Sequence, residues 1–179
     1  MSAPLLPSAL VLAVALVGCA PDPPPRAEPS PNIEVRPGVR LDRLLAARGD
    51  ARPLLDVMRA PRERRAGPAA NAHVAGRTDT VATWVYDGLA VETVTVAGGP
   101  TLVRRVVVTE GTYGTSDGLS VGEARADLEA VLGRPDRQSD GTAVYVLDGE
   151  LPTTVEVRYA PDDDGVERAA RIDWRLPVD

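Results

Sequence analysis

The stretch VEVRYAPDDDGVERAARIDWRL, residues 155–176, decides the fold class. Val155, Val157 and Tyr159 alternate with Glu156 and Arg158, and Ala170, Ile172, Trp174 and Leu176 alternate with Arg171, Asp173 and Arg175. A period of two with charge on one side describes strands that bury one face and wet the other, the habit of antiparallel sheets. Asp162-Asp163-Asp164-Gly165 between them reads as a hairpin turn with Gly165 at positive φ. A calcium loop needs ligands at alternate positions and a bidentate acid further on, and that pattern is missing.

Working outward, further strands are expected at Thr80–Tyr86, Leu89–Val96, Leu102–Thr109 and Thr142–Leu147. Ser120-Val121-Gly122-Glu123 has the form of a capping box. Behind it Val121, Ala124, Leu128, Val131 and Leu132 share one face at helical spacing, and Gly133 and Pro135 mark a stop. The spacing predicts a helix over 121–132. Two shorter helices are expected over 41–48 and 50–59, burying Leu41, Leu44, Leu45, Leu54, Leu55, Val57 and Met58.

The elements recur. Ala51–Asp56 aligns with Ala124–Glu129, and Thr83–Gly88 aligns with Val144–Gly149, Asp-Gly being followed by two strands in both places. The expected fold is therefore α+β: one antiparallel β-sheet covered on one face by helices, built from two helix–strand–strand–strand repeats, 39–112 and 113–179.

The N-terminus has a different character. An apolar run, Ala9–Val17, ends in Leu16-Val17-Gly18-Cys19 and turns abruptly proline-rich. It has the length of an export signal's h-region and is well short of the roughly 20 residues a spanning helix needs. Residues 1–18 thus read as a lipoprotein signal peptide and Cys19, the chain's sole cysteine, as the lipobox residue that takes diacylglycerol. The first eight residues carry no Lys or Arg, which departs from the usual n-region. Two or three acyl chains, palmitate among them, would anchor the protein stably at a membrane surface. Residues 19–38 read as a proline-rich tether.

Composition limits the partners. The net charge is −6, all twenty basic residues are arginine, and there is no phenylalanine. Residues 26–77 hold eleven arginines against six acids, and residues 78–179 hold nine against nineteen. An acidic chain without a basic footprint disfavours nucleic acid. The cluster Arg59, Arg62, Arg64 and Arg65 reads as a solvated helix end, with an anionic lipid or cell-wall contact as the alternative. A single histidine, His73, in a loop-like stretch, and a cysteine assigned to lipid leave no triad or zinc set. Phosphate-binding glycine patterns are absent. No enzyme, metal or cofactor is expected.

Gly118-Leu119-Ser120-Val121-Gly122-Glu123-Ala124-Arg125, continuing to Val131-Leu132-Gly133-Arg134-Pro135-Asp136, resembles the signature of the BamE (SmpA/OmlA) lipoproteins and of the tandem-repeat β-lactamase-inhibitor-protein fold. The match is clear in the second repeat only, since Arg59-Ala60-Pro61 stands where Leu-Gly-x-Pro would be in the first. The resemblance implies a protein-binding module of the cell envelope, lipid-anchored in the outer membrane and facing the periplasm. It implies either support of outer-membrane assembly or inhibition of a secreted or periplasmic enzyme. A small-ligand or cell-wall binding module is the third reading. Trp84, Tyr86, Tyr145, Tyr159 and Trp174 lie on predicted strands, with Tyr159 and Trp174 in the apolar phase and Trp84 and Tyr86 in a phase opposite to Val81 and Val85. Trp84 and Tyr86, with Arg104 and Arg105 on a neighbouring strand, are the candidate partner contacts.

Overall fold

The computed structural model describes residues 37–46, 50–56, 58, 60–71, 73–148 and 152–178. Cys19, the expected signal peptide and the tether up to residue 36 lie outside the described residues. Pro37 and Gly38, placed at the tether's end by sequence, instead open a helix.

The elements run α1 (Pro37–Leu45), α2 (Arg52–Asp56), β1 (Glu63–Ala70), β2 (Thr78–Tyr86), β3 (Leu89–Thr95), β4 (Thr101–Val108), α3 (Arg125–Leu132), β5 (Arg137–Ser139), β6 (Thr142–Leu147), β7 (Thr153–Pro161) and β8 (Glu167–Arg175). All eight strands form one antiparallel sheet in the order β1-β2-β3-β4-β8-β7-β6-β5. This corrects the expected fold class. The described residues are dominated by a single eight-stranded sheet, the helices among them are only nine, five and eight residues long, and four strands rather than three stand on each side of the β4–β8 seam. It is not a helix-covered α+β arrangement of two helix–strand–strand–strand repeats.

The pleat sorts side chains into two faces, and the register shows how far each row extends. One row crosses seven strands as Arg64, Trp84, Val91, Val106, Trp174, Val155 and Tyr145. The row beside it runs Tyr86, Leu89, Val108, Ile172, Val157 and Ala143. Apart from Arg64, which is exposed on the edge strand, these residues form one core with Leu41 and Leu44 of α1, Leu55 of α2 and Leu128 of α3, Trp84 being packed against it. Burial of such side chains, about 1.5–3 kcal/mol each, is what holds the short helices to the sheet. Tyr159 and Trp174 are both buried, and the Tyr145 and Tyr159 hydroxyls meet at 3.0 Å inside the core.

Two strands went unread in the sequence. β1 contains Gly67, Pro68 and three charged residues, and it is an edge strand, the place where a sheet tolerates proline. β5 has three residues and ends in a tight turn in which Asp140 and Gly141 both have positive φ. That Asp-Gly pair is the signal of a primed hairpin turn and could have revealed β5.

Two bulges shift phases that alternation had assigned. The register slips between Arg158 and Tyr159, so Ala169 is buried and Ala170, expected inside, is exposed. It slips again between Glu92 and Thr93, leaving Arg104 as the extra residue of β4.

The expected helix over 121–132 begins at Arg125, and Ala124, its N-cap, makes no side-chain capping bond. Gly122 has φ +96°, which no right-handed helix accommodates. The Ser120 hydroxyl donates to the Tyr113 carbonyl instead of capping. Of the helix face read from sequence only Leu128 is buried, and Val131 is 44% exposed.

Candidate functional site

The face opposite the core carries the chemistry. Its rows run Glu63, Val85, Ala90, Val107, Asp173, Glu156, Val144 and Arg137, and beside them Arg65, Thr83, Glu92, Arg105, Arg175, Thr154 and Val146. The leucines of α1, α2 and α3 all enter the core on the other side. The alternation of β8 places Arg171, Asp173 and Arg175 here because Ile172 and Trp174 take the core.

Asp173 is the centre of this surface. It is 1% exposed, although it lies on the face away from the core, because arginine side chains cover it. Arg105 Nε donates to Oδ1 at 2.8 Å and Nη2 to Oδ2 at 2.5 Å, and Arg171 Nη2 reaches Oδ2 at 3.2 Å. Burial pushes the Asp173 carboxyl up, but the hydrogen bonds and charges of Arg105 and Arg171 outweigh it and hold the group below its ordinary value. The same contact raises Arg105. Around this pair Arg104 Nε meets Glu92 at 2.6 Å and Arg175 Nη2 meets Glu156 at 3.2 Å.

Cations outnumber anions around Asp173. Arg105 stands directly opposite Arg175, and Arg158 directly opposite Arg171. Like charges placed so are destabilising, and the four carboxylates Glu92, Asp140, Glu156 and Asp173 fall one short of the five guanidiniums. Arg158 makes no ion pair among the described residues. It lines a polar cleft of about 430 Å³ with Arg171, Arg105 and Asp140. Guanidinium donors match carboxylates in pairs, as Arg105 does with Asp173.

The four candidate contact residues do not form one site. Arg104 and Arg105 lie on this open face, Arg104 brought there beside its neighbour by the β4 bulge. Trp84 and Tyr86 belong to the core face. Trp84 is half-buried under Arg64, whose Cζ sits 4.5 Å from the ring centre, and its Nε1 points to Thr93 Oγ1 at 3.4 Å. The basic cluster is likewise dispersed, with Arg62 paired to Asp87 and Arg65 to Glu63. Arg59 lies outside the described residues. Asp173 and Glu156, which organise the open face, were not singled out in the sequence. Their signal was the strict charge alternation of β7 and β8.

Tyr86 stands at a second concavity. It closes β2 and is 8% exposed, and its hydroxyl is buried with no hydrogen-bond partner. Burial, with a contribution from Tyr113, pushes its pKa up to about 12. The ring lines a cleft of about 260 Å³ together with Met58, Ala60, Arg62, Asp87, Glu110, Thr112 and Tyr113.

Among the described residues no group of three or more His, Cys, Asp or Glu is placed to hold a metal ion, and no helix is long and apolar enough to cross a membrane. His73 is exposed, in a turn whose backbone N–H groups bond to the Asn71 side chain.

No protein-family model matches the chain, and no curated protein matches it. The crystal structure of the uncharacterized protein YfeY from Escherichia coli is similar over 70% of this chain and 88% of its own, at 14% identity and a TM-score of 0.38. Likeness at that level carries no functional argument, and none of these comparisons links the chain to the BamE or inhibitor-protein families.

Proposed function

We propose that the chain is a lipid-anchored protein of the bacterial cell envelope that binds a carboxylate-bearing segment of a protein partner on the open face of its sheet. The observation that supports this is the arginine excess around Asp173, with Arg158 facing Arg171 across the strands. A fold retains directly opposed like charges at a cost, and an acidic partner relieves it. Arginine set among half-buried Val85, Ala90, Val107 and Val144 is also the composition of a protein contact surface.

The edges argue for binding on the face. β1 is interrupted by Gly67 and Pro68 and opens with the charged residues Glu63, Arg64 and Arg65, and β5 is three residues long. Both features discourage a strand from adding alongside. The membrane attachment rests on the Leu16–Cys19 lipobox. Support of an outer-membrane assembly machine, implied by the BamE resemblance, is one form that such binding takes.

Photo-crosslinking in intact cells tests the reading. A photoreactive residue at Val107 should give one dominant protein adduct, lost when Arg158 and Arg171 are changed to Glu. The same probe at Val131, on the exposed side of α3, should give none. Mass analysis of the mature N-terminus should find acyl groups on Cys19. Adducts equal at both positions, or formed only with cell-wall polymer, would overturn the proposal.

A further inference from the structure

The Tyr86 cleft lies apart from the open face and has its own chemistry. Its inner wall holds a phenol that is more than nine-tenths buried and unpartnered, at a position where a hydrogen-bonding group from outside would complete it. Glu110 forms no ion pair among the described residues, whereas Asp87 is neutralised by Arg62 at 2.5 Å. Among the described residues the lining therefore carries one uncompensated negative charge. Met58 and Ala60 supply an apolar wall, and Thr112 adds a hydroxyl.

We propose that this cleft binds a primary ammonium group on a short aliphatic chain. An ammonium has three donors and no acceptor. Glu110 supplies the charge, the Tyr86 oxygen and Thr112 supply acceptors, and Met58 and Ala60 take the methylenes. An anion would meet the unpaired charge of Glu110. The chain contains no lysine, all twenty of its basic residues being arginine, so no side chain of its own offers this group. The cleft of about 260 Å³ holds far more than one water, whose share of liquid volume is about 30 Å³. The source is either a free small amine or a lysine side chain of another molecule.

The test is an NMR titration of the full chain with n-butylammonium, n-butanol and Nα-acetyl-lysine amide, following the Tyr86 ring. Butylammonium should shift it saturably, with butanol at least about 10-fold weaker, as expected for loss of a charge-assisted hydrogen bond. Glu110→Gln should weaken butylammonium about 10-fold and Tyr86→Phe about 5-fold. Binding of the lysine amide as well as butylammonium identifies a protein side chain as the source, and binding of butylammonium alone identifies a free amine. Either supports the proposal. Equal binding of butanol, no effect of Glu110→Gln, or no saturable shift overturns it. Tyr86→Phe keeps the ring, so its Tm should equal or exceed that of the parent. A clear fall would show that the hydroxyl is already bonded in the folded protein, and would also overturn it. None of these outcomes depends on what occupies the open face.

Discussion

Asp173 accepts two hydrogen bonds from Arg105, a residue 68 positions earlier in the chain, at 2.8 and 2.5 Å. The pair ties β4 to β8 on the side of the sheet away from the core, at the seam where the two four-stranded halves meet.

Replacing Arg105 by Ala should destabilise the fold by about 1–3 kcal/mol, since it removes one partner of a buried carboxylate that keeps only Arg171. Arg105→Met with Asp173→Leu should recover most of the loss, because the charge then leaves with its partner. Urea unfolding of the single and double variants measures both.

Acid should act through the same carboxylate. Its folded pKa lies below its unfolded value, so its stabilisation is present above about pH 4 and is lost as pH falls through the folded value. Asp162, held low by Arg168 and by the Val166 and Asp164 amides, adds to the same trend. The Tm should drop steeply below about pH 4, and more gently in Asp173→Asn from a lower start.

Alkali should act through the core tyrosines. Burial raises Tyr86 to about 12 and raises Tyr159 further, so the folded state is favoured below the unfolded tyrosine value of about 10 and loses that advantage as pH rises above it. Tyrosinate absorbance should stay incomplete past pH 10 or so and then rise together with loss of secondary structure. Independent titration of all four tyrosines near their ordinary value would refute this.

The α3 segment gives a fourth expectation. Leu128→Ala should cost about 2–5 kcal/mol and Val131→Ala under about 0.5, since only the first faces the core. Gly122→Ala should cost about 1–2 kcal/mol through its φ of +96°, although a Cβ there meets nothing within 4 Å. Thermal unfolding of the three variants ranks them.

Five of the eight strands, β3, β4, β6, β7 and β8, were visible with useful bounds, because alternation survives when one face is apolar and the other charged. β2 was placed as well, but its two apolar phases, Val81 and Val85 against Trp84 and Tyr86, left its orientation open. The register resolved it by seating Trp84 opposite Val91. β1 was hidden because an edge strand needs little of the usual strand composition. The bulges that expose Ala170 and free Arg104 depend on pairing between distant strands and leave no local mark. The capping box failed for a legible reason, a glycine inside it, that was outweighed by the apolar spacing behind it. Arg104 and Arg105 were legible as charges, while Asp173 as the partner of Arg105 was not, since only the β4–β8 pairing brings them together.

The last strand in sequence lies in the middle of the sheet. A ribosome delivers β1 to β7 before the piece that joins them exists, so Val106 and Val108 of β4 and Val155 and Val157 of β7 wait with open backbone until residues 167–175 arrive. Assembly is therefore a late, single closure and not a progressive zippering. A stop codon or proteolytic cut ahead of residue 167 would release two sticky half-sheets, each with a raw inner edge, in place of a shortened working protein.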